Sequence, residues 1–356
     1  MKTNGKTGAW GAWFGLVAIL ALSGRAAETN TFVWHDAAKF GVEGKGWSDT
    51  ASPFDRLPAR AKEKVRPPVW GLSHCSAGLL ARFTTDADVL RVRWTLTGRS
   101  LAMPHMAATG VSGVDLYARD AAGRLRFCRN GRPTGVTNEV TFHLPASKEY
   151  ALYLPLYNGV KQLAFGVPAG KRFSPLPPRP MRETIVFYGT SITQGGCASR
   201  PGTAFTAFVG RALERPVINL GFSGNGKMEP ELAELLAELD PAVYVLDCLP
   251  NMTTAMVAER VEPFVRRLRA AHPTTPIVLA EDPNVRNTPT PKGDLLRQIY
   301  ARLKAAGDTH LYLLPNTDML GDDGEGTVDG THPTDLGMAR QAKVLIHCLK
   351  PILQHP

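Results

Sequence analysis

TIVFYGTSITQGG, residues 184–196, decides the fold. The run Ile185–Tyr188 is apolar throughout and too short for a helix. It reads as a strand buried on both faces. A serine follows it, in the middle of a polar turn that ends on two glycines. Strand, exposed hydroxyl and glycine-rich turn together pose a chemical question: what would make Ser191 react?

The sequence on the C-terminal side alternates strand and helix. PVINLG (216–221), AVYVLD (242–247), PIVLAE (276–281) and HLYLLP (310–315) read as further buried strands. Between them, 204–214 reads as a helix. Leu232, Leu235, Leu236 and Leu239 share one helical face, as do Val257, Val261, Phe264, Val265 and Leu268. A helix from about 334 to 350 closes the chain. This alternation implies an α/β domain whose parallel sheet is covered on both faces. Ligands of such sheets bind at the carboxyl ends of the strands.

On the N-terminal side the pattern changes. VLRVRWTLT (89–97) alternates apolar and polar residues, and 78–86, 114–120, 124–130 and 139–144 are short runs parted by Gly, Asn, Asp or Pro. This predicts an antiparallel β-sandwich or jelly roll over 27–172. Four prolines in 173–182 predict a stiff, extended linker, and 183–356 is the α/β domain. Residues 1–26 read as a signal peptide: Lys2 and Lys6, then 14 residues from Ala9 to Leu22, then Gly24 and Ala26 as a small-x-small cleavage pattern. That run is short for a bilayer span. The protein is therefore expected to be exported, periplasmic or secreted, without stable membrane insertion once cleaved.

The 356 residues carry a formal charge of +9, and loss of Lys2, Lys6 and Arg25 leaves +6. The positive charge is scattered and forms no basic stripe, which excludes nucleic acid as the expected partner. Five cysteines (Cys75, Cys128, Cys197, Cys248 and Cys348) cannot all pair within the chain, and none has CxxC spacing. Packing is their expected role, with a Cys197–Cys248 bridge as the alternative. Oligomeric state is not set by the sequence.

A serine hydroxyl needs a base, and the oxyanion it generates needs donors. VDGTHPTDLG (328–337) supplies His332 as base and Asp329 to orient it, three residues apart in one loop. NLGFSGNG (219–226) supplies the Gly224 N–H, and LDCLPNM (246–252) the Asn251 amide; the Ser191 N–H is the third donor. Each has a plainer reading. Ser191 suits a helix cap, Gly224 a tight turn, and Asn251 a cap for a helix beginning near Thr253. Asp329 and His332 suit a metal, but no further His or Cys stands at ligand spacing beside them, so neither metal nor organic cofactor is expected. Asp247 orders its loop, and Arg200, Glu281, Asp282 and Arg286, on strand-end loops, are taken as surface charge, with substrate contact as the alternative.

These blocks resemble the GDSL/SGNH-type hydrolases. YGTSITQGG is similar to their serine block, with Thr190 where an aspartate is usual. GFSGNG is similar to the glycine block and DGTHPTDLG to the Asp-x-x-His block, whereas LPN departs from the usual Gly-x-Asn-Asp. The resemblance covers about 183–350. It implies a flavodoxin-like three-layer fold, Ser191, His332 and Asp329 as catalytic triad, and Ser191, Gly224 and Asn251 as oxyanion hole. ATGVSGVDLY (108–117) is similar to the Gly-x-Asp-Leu-Tyr motif of a β domain found beside one subgroup of these enzymes. There Asp115 and Tyr117 are expected to hold the β domain together. The resemblance implies a serine esterase acting on short acyl esters, acetyl above all, with acetylated glycans as substrates. Acyl transfer through the same triad, or glycan binding by a protein with an inert hydrolase domain, are the alternatives.

Overall fold

Alternation along one strand explains the front half. In the computed structural model, which describes residues 31–354, Leu90, Val92, Trp94 and Leu96 face inward from Val89–Leu96. Arg91 and Arg93 point the other way and lie over the rings of Phe32 and Trp34, 4.1 and 4.2 Å from the centroids. The strands and short helices of this half are β1 (Phe32–Asp36), α1 (Pro67–Ser73), β2 (Leu80–Thr85), β3 (Val89–Leu96), α2 (Ala108–Val111), β4 (Val114–Arg119), β5 (Leu125–Gly131), β6 (Thr137–His143), β7 (Tyr150–Tyr153), β8 (Val160–Pro168) and β9 (Phe173–Pro175). They form two antiparallel sheets, ordered β1-β8-β3-β6 and β5-β4-β7-β2-β9. Phe83, Trp94, Phe142, Phe165 and Leu152 fill the space between them. This is a β-sandwich. The expected signal peptide lies outside the described residues.

The proline-rich stretch 173–182 is extended up to Pro180, as its prolines require, and ends in a 3-10 turn, Met181–Glu183; it is docked rather than free. Phe173–Pro175 pairs with β2 as an edge strand, where Pro costs no ladder bond. The Leu176 N–H donates to the Arg82 carbonyl (2.8 Å), and Arg179 pairs with buried Glu43. Residues from Phe32 onward form one compact unit.

The second half contains β10 (Ile185–Gly189), α3 (Ser191–Gln194), α4 (Phe205–Leu213), β11 (Val217–Gly221), α5 (Pro230–Leu236), β12 (Val243–Asp247), α6 (Thr254–Ala271), β13 (Ile277–Ala280), α7 (Pro291–Ala305), β14 (Leu311–Leu314) and α8 (Asp335–Gln354). The strands are all parallel, in the order β11-β10-β12-β13-β14, the flavodoxin-like arrangement. Every residue of β10, β11 and β12 is buried. Val186 and Tyr188 face the core shared with α5, α6 and α7, while Ile185 and Phe187 face the core shared with α4 and α8. That gives three layers. No helix among the described residues is long and apolar enough to cross a membrane.

The GVDLY motif (113–117) does more than hold the sandwich together. Asp115, fully buried, accepts from Arg200 Nη1 (2.9 Å), the Gly202 N–H (2.8 Å) and Asn130 Nδ2 (2.7 Å). The Tyr117 hydroxyl accepts from the same Arg200 nitrogen (2.7 Å), and a Cβ on Gly202 would strike the Tyr117 ring. Arg200 stacks 3.8 Å from the Phe127 ring centroid. The motif thus grips the loop that follows the serine turn. Arg200, expected as surface charge, is an interface residue; a charge can leave water when it is paired and hydrogen-bonded.

Arg56 is a second tie. Its guanidinium is fully buried and donates to four carbonyls: Cys75 (2.8 Å), Leu72 (2.7 Å), Asn219 (3.0 Å) and Gly221 (2.8 Å). Desolvation lowers its pKa to about 10. It satisfies the carboxyl end of β11 from the front half of the chain.

Candidate active site

The polar turn after β10 is built by its threonines. Thr190, not Ser191, is the N-cap of α3: its hydroxyl accepts from the Ile192 N–H (3.2 Å). Thr193 returns the bond to the Thr190 N–H (3.3 Å). Ser191 therefore sits at the first helical position with its hydroxyl free of capping duty. Its Oγ lies 2.9 Å from His332 Nε2. The Ser191 N–H donates to no acceptor among the described residues.

His332 is held from the other side. Its Nδ1 is 2.8 Å from Asp329 Oδ2. Asp329 Oδ1 accepts the N–H groups of Thr331 (2.9 Å) and His332 (2.8 Å), so one carboxylate fixes both the ring and its backbone. Val328 N–H and Thr327 Oγ1 both donate to the His332 carbonyl (2.8 and 2.9 Å). Desolvation would raise the Asp329 pKa, but the bonds from His332 and Thr331 outweigh it and bring the carboxyl down to about 2. An ionised carboxylate on Nδ1 leaves Nε2 as the nitrogen that takes a proton from Ser191. The three side chains form one relay.

Gly224 and Asn251 come from the loops after β11 and β12, the strands on either side of β10. Gly224 adopts φ +68°, and its N–H has no acceptor among the described residues. Two residues on, a Cβ on Gly226 would collide with the Gly189 carbonyl, so this loop lies directly against the serine turn. Asn251 stands in a 3-10 turn, Leu249–Asn251. It does not cap the next helix; Thr253 does, accepting from the Met256 N–H (3.2 Å). The Asn251 Nδ2 is buried with no hydrogen-bond partner. A buried amide left unpaired costs roughly 1–3 kcal/mol, an outlay that a ligand oxygen would offset. Ser191 N–H, Gly224 N–H and Asn251 Nδ2 are thus three donors with no partner among the described residues.

Several supports escaped the sequence reading. Gln194 is fully buried; its amide donates to the Leu156 carbonyl (3.1 Å) and accepts the Ser223 N–H (3.0 Å), joining sandwich, serine helix and glycine loop. The Tyr157 hydroxyl donates to the Ser191 carbonyl (3.1 Å). Thr193 Oγ1 donates to Asp247 Oδ2 (2.6 Å), while Asp247 Oδ1 is buried without a partner. Burial raises Asp247 to about 7, with Asp282 adding to the shift and the Thr193 hydroxyl opposing it.

Glu281 and Asp282 are also not surface charges. Glu281 is buried against Arg297, and Asp282 pairs with Lys292 (3.1 Å) and Thr290 (3.1 Å). Arg286 is exposed. All five cysteines are free thiols, so Cys197 and Cys248 form no bridge; the Cys248 Sγ faces the Tyr188 carbonyl (3.6 Å). No other His or Cys stands at ligand spacing beside His332 in the sequence, but two come near it in space. His105 and Cys197, remote in sequence, both reach it, with ligand atoms within 4.8 Å of one another.

Comparison with known proteins identifies the family. Residues 182–350 match the GDSL-like lipase/acylhydrolase family, and 32–173 match the GxDLY domain, the N-terminus of SGNH hydrolase-type esterases. A solved structure assigned as a GDSL-like lipase of Bacteroides ovatus is 34% identical, with TM-score 0.84 over 91% of this chain and 98% of that one. The salicylyl-acyltransferase SsfX3 of a tetracycline biosynthetic pathway is similar in fold at 18% identity, TM-score 0.74, covering 90% and 97%. A family two carbohydrate esterase from Cellvibrio japonicus is similar in fold at 15% identity, TM-score 0.61, covering 91% and 98%. No protein in the curated set matches the chain. The chain belongs to the GDSL-like lipase/acylhydrolase family, with an N-terminal domain of the GxDLY type. It is a hydrolase of ester bonds.

Proposed function

We propose that this protein is an exported serine esterase that removes short acyl groups, acetyl foremost, from carbohydrate. Ser191 Oγ attacks the ester carbonyl as His332 Nε2 takes its proton; Asp329 holds the imidazole and balances its charge. The oxyanion forms between the Ser191 N–H, the Gly224 N–H and the Asn251 amide. His332 then protonates the departing sugar hydroxyl. Water, deprotonated by the same nitrogen, releases the acid and frees Ser191. The observation that carries the reading is the relay of 2.9 and 2.8 Å contacts through His332, beside three donors without partners among the described residues.

The carbohydrate substrate is supported by the fold shared with the Cellvibrio japonicus esterase, and export by the signal-like residues 1–26. Acyl transfer is the second reading, favoured by the higher fold similarity to SsfX3. The two differ only in whether water or an alcohol meets the acyl-enzyme.

Acetate release from a panel of acetylated glycans tests the proposal, with p-nitrophenyl acetate alongside. Wild type should release acetate, and Ser191→Ala and His332→Ala should each lose at least about 10³-fold in kcat. Equal rates in wild type and Ser191→Ala would remove Ser191 as nucleophile. Cleavage of the small ester alone, with acyl groups passed to added alcohols, would favour transfer.

A further inference from the structure

A β-region turn overhangs the site. Met103 and Met106 exchange backbone hydrogen bonds (3.0 and 3.1 Å), and Pro104 and His105 form the tip between them. The His105 ring is exposed, makes no hydrogen bond among the described residues, and lies 5.5 Å from the His332 ring, centroid to centroid. Cys197 stands one residue past the glycine pair of the serine turn. Its backbone is left-handed, φ +69°, an uncommon state for a residue with a side chain. The thiol is free and partly buried.

We infer that His105, Cys197 and His332 form a zinc-binding site, and that a bound zinc ion switches the enzyme off. Two imidazoles and one thiolate are a donor set suited to Zn²⁺. Each offers a ligand atom within 4.8 Å of the other two. Ligands of a tetrahedral zinc stand about 3.3–3.8 Å apart, given bonds near 2.0–2.3 Å. The contraction required is about 1 Å, and the unrestrained His105 ring can supply most of it. Burial, and after it the Asp329 carboxylate, push the Cys197 thiol up to about 11, so its proton leaves only as the metal binds. On binding, zinc–nitrogen and zinc–sulfur bonds form and the thiol proton leaves to solvent.

Both ring nitrogens of His332 are already engaged, one by Ser191 and one by Asp329. Zinc at Nε2 occupies the lone pair that would accept the serine proton; zinc at Nδ1 displaces the orienting carboxylate. Either stops turnover. The inhibition, though not the binding, rests on the esterase reading above.

Cobalt(II) reports the site without reference to activity, because a thiolate ligand gives it a charge-transfer band. The full-length protein, reduced and metal-free, is titrated with cobalt and separately assayed with p-nitrophenyl acetate under rising zinc. Wild type should bind one cobalt with a thiolate band, and zinc should inhibit it reversibly, with activity restored by a chelator. Cys197→Ser should lose the band. Cys197→Ser and His105→Ala should each need at least tenfold more zinc for half inhibition, with metal-free turnover within about twofold of wild type. His105 is exposed, so its variant tests the site even where Cys197→Ser perturbs folding. Absence of the thiolate band in wild type, or equal zinc inhibition in wild type and His105→Ala, would overturn the proposal. A band in a protein that cleaves no ester would leave the metal site standing and the esterase reading fallen.

Discussion

Thr190 and Ser191 divide two tasks that one residue could not perform. A serine at the cap would spend its hydroxyl on a backbone N–H; displaced by one position, it is left to His332. Asp329 shows the same economy in reverse, serving three donors with two oxygens. Asp329→Asn should therefore cost on the order of 10²–10⁴ in kcat while changing KM little, because an amide cannot hold both ring and backbone in one orientation. Steady-state kinetics reads this directly. Asn251→Ala should cost about 10²–10³ in kcat if its unpaired amide meets the oxyanion; a change below threefold would remove it from the hole. Asp247 carries a pH signature. Its pKa is raised to about 7 from 3.8, so the folded chain keeps a proton that the unfolded chain has released. The stabilisation this gives is greatest below about pH 4 and declines as pH rises towards 7. Asp247→Asn should abolish that decline, so its thermal midpoint gains on wild type between pH 4 and 7. Parallel curves would mean that Asp247 is already ionised in the native fold.

At the scale of elements, the glycine loop and the serine turn act as one surface. Gly226→Ala drives a Cβ into the Gly189 carbonyl. It should lower kcat at least tenfold while the melting temperature drops by only a few degrees, since the loop and not the sheet must yield. The parallel sheet was legible because its strands are continuous apolar runs with helical periodicity between them. Helix α7 was not read, although Leu296, Ile299 and Leu303 carry the spacing and Thr290 caps it; the charged residues among them mask a face only three side chains wide. Strands β1, β7, β8 and β9 were also missed, β9 because its proline reads as linker until its partner β2 is known. The contacts of Ser191, His332 and Asp329 were legible because the three residues fall in two short motifs. Gln194 and Tyr157 were not, because their contacts exist only once remote segments meet. Asn251 lay between: its type was visible, but only the Thr253 cap settles that it does not serve the helix.

For the molecule as a whole, the sandwich and the α/β domain share their supports. Asp115→Ala would remove the buried acceptor shared by Arg200, the Gly202 N–H and Asn130, and donors left without a partner there cost roughly 1–3 kcal/mol. Denaturant unfolding should register that loss, with Asp115→Asn between the two. A chain limited to 182–356 should fail to unfold cooperatively, because it lacks Arg56, Gln194's carbonyl partner at Leu156, and the Tyr157 prop. A sharp calorimetric transition in that fragment would show that the halves are independent after all. Arg56 has a consequence for descent. Modules that are shuffled between genes must meet across surfaces that either can live without. Here the main chain of the hydrolase ends a strand on donors that the front module lends it. A replacement module would have to present a guanidinium at the same point in space to satisfy those carbonyls.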